Sequence, residues 1–161
     1  MNWQEVCNDA SLRDLPFKIE LNEWGQIIMS PASSRHAILQ GLLIDALNRV
    51  KKDGLVFPEC PIQTSKGVKV PDVVWASNQF LGEHGGESPF SKSPEVCIEV
   101  LSPSNTQMEM DEKREFYFAR GTHEFWLCDE QGTLTFYDCT GQIASSRLFP
   151  NLSRVETDSL H

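Results

Sequence analysis

Val70-Pro71-Asp72-Val73-Val74-Trp75 and Pro94-Glu95-Val96-Cys97-Ile98-Glu99-Val100-Leu101 decide how this chain is read. Each is a short apolar run of strand type with an acid where a buried strand should be hydrophobic. Asp72 is the only charge in its run, and Glu99 sits inside a continuous apolar stretch. An ionised carboxylate there needs a cation, strong hydrogen bonds or a metal. Two such carboxylates on neighbouring strands would repel by about 4 kcal/mol at ~4 Å and an effective dielectric near 20. A divalent cation held by oxygen ligands removes that cost, and so does a separate salt bridge for each acid. Alternation puts Glu95 and Glu99 on one face but about 13 Å apart, too far to share an ion. Glu95, at the strand entrance, is expected to be solvated.

Working outward, Phe17 to Leu21 alternates as a strand, Asn22-Glu23-Trp24-Gly25 is its turn, and Gln26 to Met29 returns as a hairpin partner. Pro31 stops the sheet, and Ser33 or Ser34 caps a helix. Leu39, Leu42, Leu43, Ala46, Leu47 and Val50 form one helical stripe, which Lys51, Lys52 and Gly54 finish. Strands are expected at 55–57, 62–64, 68–75 and 96–101, and a loop over 82–93. A second helix spans 107–120 and stops at Gly121; strands follow at 124–128, 134–137 and 143–148. The polar tail from Asn151 is expected to fray. Strands outnumber helices, and both helices are amphipathic enough to cover a sheet. The expected fold is therefore α/β (α+β), a mixed sheet flanked by helices, with an N-terminal hairpin. One domain over 1–161, with its core at about 17–149, is the expected organisation.

Composition narrows the function. The 161 residues are 40% hydrophobic and 23% charged, which excludes a disordered or fibrous chain. No apolar run reaches the roughly 18 residues of a membrane span, and the start lacks the pattern of a signal peptide. The five cysteines are odd in number and contain no Cys-x-x-Cys, so neither a disulfide framework nor a zinc site is indicated. Reduced thiols and a cytoplasmic location are the plain expectation. Fourteen Lys and Arg against 23 Asp and Glu give a net charge of −9. Between Arg35 and Lys69, however, six basic residues stand against Asp45, Asp53 and Glu59, a local excess of +3. That balance opposes a generic cationic coat for nucleic acid and permits a local phosphate partner.

The two acids meet a resemblance. Pro71-Asp72 followed by Glu99 on a later hydrophobic strand resembles the PD-(D/E)xK nuclease superfamily. Gly25-Gln26-Ile27-Ile28-Met29-Ser30-Pro31-Ala32-Ser33 with His36, Pro71-Asp72-Val73 and Ile98 to Ser104 together resemble the Uma-type family of restriction-endonuclease-like proteins. So do Lys113 with Tyr117, and Gly121 followed by Glu124-Phe125-Trp126-Leu127-Cys128-Asp129. These blocks occur in the family's order over residues 17 to about 138.

The resemblance implies a restriction-endonuclease-like core and a divalent metal, Mg²⁺ or else Mn²⁺, held by Asp72, Glu99 and the backbone carbonyl of Val100. Leu101 stands where the superfamily lysine is usual, and the resemblance moves that role to Lys113 on the next helix. The implied chemistry is phosphodiester hydrolysis in DNA, with Asp72, Glu99 and Lys113 at its centre. His36, Gln40, Ser102 and Tyr117 are expected at the periphery of the site. A two-fold homodimer is expected, as cutting both strands of a duplex needs two centres or two visits. The rival reading is a catalytically inactive module that binds nucleic acid or protein on the same fold, which the net charge and the displaced lysine favour.

Overall fold

The computed structural model describes residues 1–158. A short helix α1 (Trp3–Asn8) and a 3-10 turn (Ala10–Leu12) precede the hairpin of β1 (Phe17–Leu21) and β2 (Ile27–Pro31). Helix α2 (Ser34–Val50) follows, then β3 (Leu55–Pro58), β4 (Ile62–Thr64), β5 (Gly67–Lys69) and β6 (Val73–Ala76). Helix α3 (Asn78–His84), β7 (Val96–Val100), α4 (Gln107–Ala119), β8 (Glu124–Cys128), β9 (Leu134–Asp138) and β10 (Gly141–Ile143) complete the order. Six strands form the main sheet in the order β10-β9-β8-β7-β6-β3. Its neighbours are antiparallel except β7 and β8, which run parallel because α4 carries the chain from one to the other.

Helices cover both faces. Leu39, Leu43 and Leu47 of α2 pack on Val73, Val96, Ile98 and Trp126. Met110 and Tyr117 of α4, with Phe80 of α3, pack on Val74, Cys97 and Phe125. This burial on both faces is why β7 and β8 are apolar apart from one glutamate each, Glu99 and Glu124. Cys60, Cys97 and Cys128 are buried thiols inside this packing.

Five local expectations are corrected. The run 68–75 is two strands, interrupted at Val70-Pro71-Asp72: Pro71 has no N–H, and the Val70 N–H goes to Glu20 Oε2 at 2.6 Å. Helix α3 enters the expected loop 82–93; Ser77 caps it, and seven residues are too few to show a helical period. Only 141–143 pairs where a strand was expected over 143–148, because the next residues wrap the buried Glu124 carboxylate. That carboxylate accepts from Ser146 Oγ and the Arg147 and Leu148 N–H groups. Glu95 is partly buried and accepts the Ser77 N–H at 3.1 Å, so it holds the start of α3.

The tail is the fifth. Packing extends past the expected core of 17–149 at both ends, with Val6 buried beside Leu21 and Val155 buried against the main sheet. The Leu134 N–H donates to Ser153 O and the Val155 N–H to Gly132 O, so the segment from Asn151 is held rather than frayed. The last three residues of that expectation, 159–161, lie outside the described residues.

Candidate active site

The β6–β7 register pairs Val73 with Ile98 and Val74 with Cys97. Continued by one residue, it sets Asp72 opposite Glu99, on the face that α4 covers. Both carboxylates are buried, at 1% and 2% exposure. They sit at the floor of a cleft of about 240 Å³, lined among others by Lys18, His36, Gln40 and Val100. A larger groove of about 540 Å³ lies elsewhere, around Trp75 and Phe149, without such a cluster of buried charge.

Every oxygen of the pair is engaged. Asp72 Oδ2 accepts the Val100 N–H at 2.7 Å and lies 3.2 Å from His36 Nε2. Asp72 Oδ1 lies 3.1 Å from Lys18 Nζ, which also reaches Glu99 Oε2 at 3.4 Å. Glu99 Oε1 accepts the Tyr117 hydroxyl at 2.8 Å and lies 3.6 Å from Lys113 Nζ. Lys113 itself is buried and pairs with Glu20 Oε1 at 3.1 Å. Glu109, one turn earlier on α4, is not its partner. Three carboxylates thus face two ammoniums and one imidazole.

These contacts set the protonation states. Burial raises the affinity of Asp72 for a proton, but Lys18, His36 and the Val100 N–H outweigh it and hold the carboxyl well below the usual range. Glu99 goes the other way: burial dominates the pull of Lys113 and Lys18 and lifts it to about 7. Burial alone would lower Lys113, yet Glu99 and Glu20 hold it above its ordinary value. The hydrogen bond to Asp72 raises His36 against the effect of burial. The site therefore holds one firmly ionised acid beside one that titrates near neutrality.

Each residue singled out in the sequence has a definite place. Asp72, Glu99, Lys113, Tyr117 and His36 form one connected network, and Gln40 Nε2 donates to the Asp72 carbonyl at 2.7 Å. His36 stands in the first turn of α2, whose Ser33 cap accepts its N–H at 3.1 Å. Ser102 lines the cleft without touching either carboxylate; its N–H and hydroxyl close the turn with Asn105. The Val100 peptide lies at the cleft, with its N–H committed to Asp72.

Lys18 and Glu20 were missed. Alternation along 17–21 puts both on one face of β1, and a charged face normally means solvent. The hairpin instead folds this face onto the cleft.

The family model described as "Uma2: Putative restriction endonuclease" matches residues 10–157. The chain belongs to the Uma2 family. Among curated proteins, none matches it. A solved structure similar to it is that of "a putative nuclease belonging to DUF820" from Anabaena variabilis ATCC 29413. The two share 22% identity and a TM-score of 0.69 over 85% of this chain and 86% of the other. That likeness establishes a shared mixed α/β fold, and Uma2 membership brings with it a nuclease reading in general terms.

The donor set of this Uma2 chain suits a hard cation. Two carboxylates and a strand-end peptide offer oxygen, which Mg²⁺ and Mn²⁺ prefer. No group of three or more His, Cys, Asp and Glu side chains poised to hold a metal occurs among the described residues.

Proposed function

We infer that this chain is a metal-dependent endonuclease that hydrolyses phosphodiester bonds in DNA, with Mg²⁺ or Mn²⁺ held by Asp72, Glu99 and the Val100 carbonyl. The observation that carries the reading is the meeting of two buried carboxylates at adjacent strand ends, with the Lys113 ammonium 3.6 Å from Glu99. When bound, the metal would activate water and offset charge on the scissile phosphate. Lys113, fixed between Glu99 and Glu20, would stabilise the charge that develops during attack. Tyr117 keeps the Glu99 carboxylate oriented, and Gln40 and His36 fix the Asp72 segment. Action as a homodimer, each chain cutting one strand, is part of the same proposal.

The second reading is an inactive binding module, and one observation favours it: the chain's own groups already satisfy both carboxylates. Cleavage assays on mixed DNA and RNA with Mn²⁺ separate the two. The nuclease reading expects DNA to be cut, and Asp72→Ala and Lys113→Ala each to lose about 100-fold or more in rate. No cleavage by the parent under any divalent cation would leave the binding module.

A further inference from the structure

Asp72 and Glu99 each commit one oxygen to the chain's own donors, Asp72 Oδ2 to Val100 and His36, and Glu99 Oε1 to Tyr117 and Lys113. The two remaining oxygens are bridged by a single atom, Lys18 Nζ, at 3.1 and 3.4 Å. Any cation shared by both acids must come to those same oxygens, and two cations in one gap repel strongly. We propose that Lys18 is a built-in counterion that closes the cation site in the resting chain and is expelled when a divalent metal enters.

The placement of Lys18 suits such a switch. Its side chain keeps 14% exposure, against 8% for Lys113, and it lies at the cleft wall, where Phe17 beside it is exposed. It hangs from β1, which pairs with β2 and not with the main sheet, whereas Lys113 is clamped by Glu20 inside the fold. Lys18 can therefore swing away from the carboxylates, out toward the cleft mouth, without breaking the main sheet. In its absence two buried carboxylates would face each other without a shared cation, so the resting state needs it. Metal binding then carries the cost of expelling it: if the open state is populated roughly one part in ten or less, the apparent dissociation constant rises about tenfold or more.

This inference rests on the metal-dependent reading, and its test keeps the two apart. Mn²⁺ is titrated calorimetrically into the parent and Lys18→Met. In the parent, amine-reactive labelling of Lys18 is followed by peptide mapping with and without Mn²⁺, with exposed Lys66 as the internal reference. The expected result is about tenfold or tighter Mn²⁺ binding by Lys18→Met and faster labelling of Lys18 once Mn²⁺ is present. The labelling arm separates displacement from a mere change of charge, and needs no variant to fold. If the parent binds Mn²⁺ and Lys18 labelling is unchanged, the displacement is overturned, whatever the variant's affinity, while the metal site stands. If neither protein binds Mn²⁺, the metal reading falls and this one with it.

Discussion

Glu99 shows how burial can set a charge state that ion pairs alone would not. Two ammoniums and a tyrosine hydroxyl favour its carboxylate, yet full enclosure lifts its pKa from 4.5 to about 7. In the metal-free protein the folded state therefore binds a proton more tightly than the unfolded chain does. The resulting stabilisation is complete below about pH 4.5 and is lost as pH rises through 7. A shift of this size corresponds to about 3 kcal/mol. Asp72 has the opposite sign, as its lowered pKa stabilises the fold above the ordinary aspartate range and is lost in acid. In chelator, urea unfolding of the parent should weaken by about 3 kcal/mol between pH 5 and 8 relative to Glu99→Gln. Parallel pH profiles for parent and variant would show that Glu99 is ionised throughout.

Among the elements, hydrophobic period was the dependable signal. The α2 stripe Leu39, Leu43 and Leu47 and the buried runs β7 and β8 formed where the pattern places them. Helix α3 and the split at Val70-Pro71-Asp72 were not legible, because one depends on a cap and the other on a hydrogen bond that Val70 donates to a carboxylate on a distant strand. For the site, the acids on apolar strands pointed to Asp72 and Glu99, and the resemblance added Lys113. Nothing in the β1 alternation tells whether its charged face meets water or a cleft, so Lys18 and Glu20 stayed hidden.

Glu124 marks the limit of that acid signal. It too opens a fully buried apolar strand, but its oxygens accept from Trp126 Nε1, Ser146 Oγ and two backbone N–H groups. It holds a loop together, away from the cleft. Glu124→Ala should cost about 3 kcal/mol or more, since several buried donors lose their acceptor. Chemical denaturation would measure that loss, and Mn²⁺ affinity in the same variant should be unchanged. A concurrent loss of Mn²⁺ affinity would show that the loop and the cleft are coupled.

Over the whole molecule, the sheet works as a plane that three other parts meet at one end. Helix α2 brings His36 and Gln40, α4 brings Lys113 and Tyr117, and the hairpin brings Lys18 and Glu20. No helix among the described residues is long and apolar enough to cross a membrane. With a net charge of −9 and two carboxylates at the cleft floor, a polyanion gains little from the chain's own field. On this account a divalent cation is what makes the cleft hospitable to phosphate.

The direct test is thermal unfolding of the parent and Asp72→Asn, with and without Mn²⁺. At a hundred times its dissociation constant, Mn²⁺ binding only the folded state should stabilise the parent by about 2.7 kcal/mol, and that gain should vanish in Asp72→Asn. An unmoved parent melt at millimolar Mn²⁺, with Asp72→Asn sharply less stable than the parent, would contradict the account and leave these acids as partners in a structural ion network.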